Sequence, residues 1–293
     1  MKLTKRIANE YGGVVLEDSP IPPLLTREDD VLIKAERILL TPIDHMCMKG
    51  YLLAKARGTL GTFAYGRALE SKELSGSPEF STYPNSCDCF PIISREGVGY
   101  FHTTFPSKCA KVPPRGLEAK EFFFIYDLIL EIERTSEGRV LVVGGEGLQT
   151  LLLSHVLEGA VFTGIDDRKF LKEGRRTVSL ENIEGSRWDT VVINTLSVGK
   201  ASLVLRRIEA SKVVVNPFSL CLFKEISIPS SGEVEIVASF PRRSYYGGER
   251  YEELEEARRM SGLHTTAHAG ELNYPLTSPP NQYFTLIAGN EEK

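Results

Sequence analysis

The sequence predicts an α/β protein in which a β-rich first third feeds a doubly wound parallel-sheet domain. Three observations predict it. Gly138 to Asp167, GRVLVVGGEGLQTLLLSHVLEGAVFTGIDD, reads as strand, glycine turn, helix and strand. The apolar period changes near Glu118 from strand-like to helical. From Val140 onward, unbroken Val/Ile runs alternate with helical segments, as a parallel sheet buried on both faces requires.

The elements follow in order. Val31 to Ala35 is a strand candidate after the Pro-rich turn Pro20 to Pro23, and Gly58 to Gly66 is a strand broken by glycine. Ser71 to Asn85, rich in Ser, Pro and Gly, reads as a loop, and Gly97 to Thr104 as a further strand. Glu118 to Arg134 carries Phe122, Phe123, Ile125, Leu128, Ile129 and Ile132 at spacings of three and four, an amphipathic helix ending near Gly138. The later strands are Val140–Val143, Val161–Ile165, Thr190–Asn194, Lys212–Val215 and Val234–Phe240. A charged helix over Glu249–Met260 follows, and a loop-rich tail closes with a strand over Tyr283–Ala288.

Composition excludes several classes. A chain of 293 residues with 42% hydrophobic content can bury a full core and divide into two domains. A net charge of -4, without Lys/Arg runs interleaved with aromatics, gives no nucleic-acid signature. The charged MKLTKRIANEYGG start has no apolar segment behind it, and no stretch approaches the roughly 18 apolar residues of a membrane span. Five scattered cysteines, an odd number, point to reduced thiols and a cytoplasmic location.

The glycine turn is the first candidate site. Gly144, Gly145 and Gly147 allow backbone to approach a ligand, Leu148 opens a helix whose first N–H groups can meet an anion, and Asp166 ends the next strand roughly 20 residues on, where an acid accepts from ribose hydroxyls. Asn194 and Thr195, at the end of the Thr190 strand, complete the candidate cofactor set. The fingerprint is imperfect. Counted from Gly144 it meets Glu146 and Gln149; counted from Gly145 it runs Gly145, Gly147, Thr150. A structural βαβ turn is the alternative.

Other passages resemble the medium-chain dehydrogenase/reductase superfamily, which includes zinc alcohol dehydrogenases and zinc-free quinone reductases. Asp29-Asp30-Val31-Leu32-Ile33-Lys34 is similar to that group's D-E-V-L-V-K strand. Thr41-Pro42-Ile43-Asp44, followed by Gly50, falls where zinc enzymes carry C-G-T-D and quinone reductases N-P-x-D. Leu60 to Gly66 resembles L-G-H-E-x-x-G, and Gly97-Val98-Gly99-Tyr100 through Val112-Pro113 resembles G-G-Y-A-E-Y … V-P. The resemblance implies a GroES-like β-barrel domain over residues 1–117, completed by the tail 265–293, and a Rossmann domain over 118–264. It also implies hydride transfer with NAD, NADP being second, on a small-molecule substrate. Assembly would be a homodimer or homotetramer through the Rossmann domain, with Val234–Phe240 at the pairing edge.

The departures bear on function. The family's zinc ligands fall on Thr41, Thr62 and Phe63, and the remaining one near Tyr126 or Asp127. Hydroxyls and Phe do not make a tetrahedral zinc site, and Cys87-Asp88-Cys89 lacks a second pair for a structural one, so no zinc is expected. Thr41, Thr62 and Tyr126 are then the candidate catalytic residues. Thr41 and Thr62 could bond a substrate oxygen or fill the space zinc vacated, and Tyr126 could protonate a carbonyl or pack with Phe122–Phe124. Glu146 would face a diphosphate with like charge. Three functions stay open: a zinc-independent oxidoreductase in which Asp166 favours NAD, a non-catalytic relative serving as a binding or partner subunit, and an S-adenosylmethionine-binding transferase, whose cofactor has no diphosphate.

Overall fold

The computed structural model describes residues 3–10, 13–20, 31–40, 63–70, 80–82, 86–87, 90–91, 101–104, 109–111, 122–145, 147–165, 168–195, 197–216, 233–236, 249–261, 266–268 and 285–288. Strands β1 (Leu3–Glu10) and β2 (Gly13–Pro20) form an antiparallel hairpin. The strand expected at Val31 is longer than its apolar run, β3 covering Val31–Leu40. The strand expected over Gly58–Gly66 is β4, Phe63–Glu70. It pairs antiparallel with β3, and register shifts at Leu32/Ile33 and Ala35/Arg37 mark irregularities of the kind that bend a strand.

The Ser/Pro/Gly stretch read as a loop contains β5 (Phe80–Thr82), which lies between β4 and β9 (Cys109–Lys111). A short two-strand ladder, β6 (Ser86–Cys87) with β7 (Phe90–Pro91), follows it. Strand β3 is paired on its other side by two different strands. Its first half meets β8 (Phe101–Thr104), and its second half meets β17 (Thr285–Ala288) from the far end of the chain. β16 (Thr266–His268) lies parallel outside β17.

The second sheet is parallel throughout. It contains β10 (Val140–Val143), β11 (Val161–Thr163), β12 (Arg176–Thr177), β13 (Arg187–Ile193), β14 (Glu209–Val215) and β15 (Glu233–Ile236). Their order is β12-β11-β10-β13-β14-β15, the doubly wound pattern in which the chain reverses direction between its first and fourth strands. β10, β11 and the last three residues of β14 are fully buried, and Val/Ile supplies most of them. β13 alternates exposed and buried at its start and is buried from Thr190 on.

Among the described residues, four α-helices accompany this sheet: α1 (Phe123–Thr135), α2 (Gly147–Val156), α3 (Val198–Arg207) and α4 (Glu249–Met260). α2 packs against both α1 and α4, and every one of its residues but His155 is buried, the polar Gln149, Thr150 and Ser154 along with its four leucines and Val156. The crossover through α2 runs from β10 to β11, and that through α3 from β13 to β14, in opposite directions along the sheet. Right-handed crossovers therefore put α2 and α3 on opposite faces. None of the described helices is long and apolar enough to cross a membrane.

Candidate functional site at the strand reversal

The reversal lies between β10 and β13, and the turns leaving their C-terminal ends meet there. Gly144 follows β10 and donates its N–H to the Thr163 carbonyl at 2.9 Å; Asn194 follows β13 and donates to the Val143 carbonyl at 2.9 Å. A Cβ on Gly144 would come within 3.0 Å of the Ile165 side chain and 3.3 Å of Thr150. On Gly145 it would meet Thr195 Oγ1 at 3.3 Å and the Gly164 carbonyl at 3.9 Å. Both glycines are thus held where the turns after β10, β11 and β13 crowd together.

A chain of neutral polar groups runs beneath them. Gly145 N and Asn194 Nδ2 both donate to Thr150 Oγ1, at 3.4 Å and 3.0 Å. Asn216, just beyond β14, donates through Nδ2 to Asn194 Oδ1 at 2.7 Å and to Gln149 Oε1. Asn194, Thr150, Gln149 and Asn216 are all at or below 1% exposure. Gln149 Nε2 is buried with no acceptor, and an unmade bond of that kind costs about 1–3 kcal/mol. Of the residues expected from sequence to hold a cofactor, Gly144, Gly145, Gly147, Leu148, Asn194 and Thr195 lie at this reversal. Sequence reasoning missed Gln149 and Asn216 as one network, because their bond joins residues 67 positions apart.

Lys200 closes the corner from α3. Its Nζ donates to the Gly164 carbonyl at 3.3 Å, and its backbone N–H is capped by Ser197 Oγ at 3.3 Å. Asp166 and Glu146 lie outside the described residues, as do Thr41 and Thr62. The strand ends that precede Thr41 and follow Thr62 in sequence are paired with each other, Leu39 opposite Phe63.

Tyr126, the expected proton donor, lies buried in the contact of α1 with α4. It has no exposed surface, and its hydroxyl donates to Glu255 of α4 while accepting from Arg258 Nε at 3.1 Å. Phe122 stacks on its ring at 6.5 Å, and the Arg258 guanidinium covers Phe122 at 4.7 Å. Burial first, and then the Glu255 carboxylate, hold the phenol's pKa well above its usual value. A proton donor needs reach and a pKa near the working range, and Tyr126 has neither here. Asp127 beside it accepts from the Tyr251 hydroxyl, while its Oδ2 is buried without a partner. Burial pushes its carboxyl up to about 7, the Tyr251 bond opposing and Glu131 adding to the rise.

No family model matches the chain, and no curated protein does. Solved structures match along its whole length. Glucose dehydrogenase of Haloferax mediterranei, in complex with NADP, Zn and gluconolactone, is 14% identical with a TM-score of 0.61, covering 98% of this chain and 100% of its own. The quinone oxidoreductase of Coxiella burnetii is 12% identical at a TM-score of 0.60, covering 99% and 100%. Acetophenone reductase of Geotrichum candidum, in complex with NAD, is 13% identical at 0.57, covering 98% of each. The chain therefore shares the fold of these solved dehydrogenases and reductases, an α/β fold with a GroES-like β domain and a Rossmann domain.

Proposed function

We propose that this protein is a zinc-independent oxidoreductase of the alcohol dehydrogenase-like kind, transferring a hydride between a nicotinamide dinucleotide and a small carbonyl, alcohol or activated alkene. The observation that carries the reading is the glycine turn at the β10/β13 reversal, where open sheets of this order bind dinucleotides. The residues fit the group. Gly144 and Gly145 sit where a Cβ would crowd the neighbouring turns, and Gln149 keeps a buried donor without an acceptor beside them. Structures of the same fold that hold NADP or NAD support the cofactor class.

In this reading Gly145, Gly147 and Leu148 face the phosphates and Asp166 the adenosine ribose, while Thr195 and Asn194, the latter bonded to Thr150 and Asn216, shape the turn on the other side of the reversal. The bound nicotinamide supplies or takes the hydride. Thr41 and Thr62 bond the substrate oxygen, and zinc independence rests on hydroxyls and Phe63 standing at the ligand positions. Tyr126 is left out of this set because its hydroxyl is committed to Glu255 and Arg258. The same reading assigns residues 1–117 and 265–293 to the β domain, 118–264 to the Rossmann domain, and the protein to the cytoplasm. β15 is one of the two outermost described strands of the parallel sheet, β12 being the other, which supports pairing of two copies along Val234–Phe240.

Gln149 favours one second reading. It occupies the place of a fingerprint glycine and its Oε1 accepts from Asn216, so a non-catalytic relative serving as a binding or partner subunit fits the same corner. Calorimetric titration with NADH, NADPH and S-adenosylmethionine separates the alternatives. Binding of a nicotinamide dinucleotide, with loss on Asp166→Ala, is expected. S-adenosylmethionine alone would reassign the protein to the transferases, and silence with all three would favour the non-catalytic relative. One zinc per chain in untreated protein would sink zinc independence, and a monomeric mass by light scattering would sink the dimer.

A further inference from the structure

The end of α2 away from the glycine turn carries a second polar cluster, separate from the proposed nucleotide site. At about 1.5 Å of rise per residue, His155 in the last turn stands roughly 12 Å along the axis from Gly147. The chain between β11 and β12 folds back over this end. Its Lys172 N–H donates to Ser154 Oγ at 2.8 Å, and Arg175 Nε donates to the Ser154 carbonyl at 2.5 Å. The Arg175 N–H bonds the Lys172 carbonyl at 3.2 Å, which closes the segment into a turn. Ser154 has no exposed surface, so both contacts are anchored on buried helix. The carbonyl that holds Arg175 belongs to the peptide joining Ser154 to His155, so the guanidinium is fixed one peptide from that histidine.

Three basic side chains are gathered here without an anion. Arg175 and His155 are half-buried and Lys172 is exposed. Among the described residues, no carboxylate meets the Lys172 ammonium or the terminal nitrogens of Arg175. The arginines of α1 and α4 differ, since Arg134, Arg250, Arg258 and Arg259 each pair with a glutamate. On that flank Glu253 of α4 and Glu133 of α1 share Arg250. Burial first, and then Lys172 and Arg175, hold the His155 imidazole below its usual pKa, with Glu253 opposing. We infer that His155, Lys172 and Arg175 form a binding site for a tetrahedral oxyanion of the phosphate class. One Arg175 N–H stays on the helix carbonyl, where a cation is favoured, and that bond aims the rest of the fork. Lys172 adds three donors, and His155 adds a charge once an anion offsets its two neighbours. Binding therefore takes up a proton at His155 and tightens as pH falls through the imidazole's range.

The whole protein is titrated with sulfate, whose charge is constant across neutral pH, with sodium chloride at matched ionic strength as the control. The His155 ring resonances, identified by their loss in His155→Gln, report this end of α2 and not the glycine turn. Sulfate is expected to raise the His155 pKa and to bind more tightly at pH 5.5 than at pH 7.5. Lys172→Met should weaken it about threefold or more, and Arg175→Met about tenfold. Lys172→Met alters only an exposed side chain, so it carries the test if loss of Arg175 unsettles the turn, and Trp188 emission checks each fold. Inorganic phosphate and glycerol 3-phosphate, compared at one pH, then tell a free oxyanion from a phosphate ester, and tighter binding of either fits the site. A His155 pKa that sulfate moves no more than chloride does overturns the inference. So does a sulfate affinity that either folded variant leaves unchanged, which would put the anion at the glycine turn instead.

Discussion

The corner where the turns after β10, β11 and β13 meet and the contact between α1 and α4 are both polar and both buried, yet they are made of different chemistry. In the corner, Thr150, Asn194 and Asn216 are neutral, and their bonds link Gly145 to Gln149: Thr150 Oγ1 accepts from Gly145 and Asn194, and Asn216 donates to Asn194 and Gln149. Between the helices, Tyr126, Glu255 and Arg258 form a charged triad, and Asp127 has a phenol on one oxygen and nothing on the other. A neutral network is indifferent to pH and depends on each member for its geometry. A charged one titrates, and its cost depends on which protons it holds. The corner should therefore fail by subtraction and the helix contact by titration.

The largest effect is expected at Asn216. Asn216→Ala withdraws the donor from both Asn194 Oδ1 and Gln149 Oε1, each in a fully buried side chain, and leaves a cavity in their place. Two orphaned acceptors amount to a loss on the order of 3 kcal/mol. Denaturant unfolding followed by Trp188, the single tryptophan and a residue of β13, reads this unit directly. The loss should be the same from pH 5 to pH 8. A loss below about 1 kcal/mol would mean that the corner repacks and is not a rigid network.

Asp127 should behave in the opposite way. Its carboxyl titrates at about 7 in the folded chain against an ordinary value of 3.8, so the folded state holds its proton longer than the unfolded one. Below pH 4 both states are protonated and the site carries no penalty. Stability then falls as pH rises from about 4 to about 7, and the loss is complete above 7. A rise from 3.8 to about 7 corresponds to an upper figure on the order of 4 kcal/mol. Asp127→Asn removes the charge but places an unpaired N–H where Oδ2 lay, so the net gain at pH 8 should be about 1–2 kcal/mol. At pH 4 the gain should vanish or reverse. An aspartate protein whose Trp188-monitored stability is flat from pH 4 to pH 7 would show that this carboxylate is solvated.

The parallel strands were legible because doubly buried strands must be apolar. Val140–Val143 coincides with β10, and Val161, Thr190 and Lys212 fall within β11, β13 and β14. β12 was not legible, since Arg176 and Thr177 carry no apolar signal and are a strand only because they pair with Val161 and Phe162. β5 was hidden in the same way: Phe80–Thr82 sits in a loop-like composition and is ordered by Tyr65 on one side and Ala110 on the other. At the candidate site, the glycines announced themselves through local sequence. The groups around them did not, because Lys200 reaches Gly164 across 36 positions and Glu255 takes up Tyr126 across 129. Periodicity reports what a residue faces, not which distant side chain will be waiting there.

The smallest effect sharpens the contrast from the solvent side. Arg250 of α4 pairs with Glu133 of α1 at the outer edge of the same helix contact, with side chains 46% and 30% exposed. Arg250 also reaches Glu253 at 3.0 Å, so its charge is shared. Water and salt screen such pairs, and ordering two long side chains offsets much of the attraction. Burial raises the Glu133 carboxyl while Arg250 pulls it back, so the two influences oppose each other at that residue. Glu133→Gln should therefore cost less than about 0.5 kcal/mol at low ionic strength, and the difference should disappear in molar salt. Measured alongside Asp127→Asn in the same urea titrations, it separates burial from charge as the source of pH sensitivity. If the exposed pair proved worth more than the buried acid, the α1–α4 contact would be an electrostatic clasp, with Asp127 incidental to it.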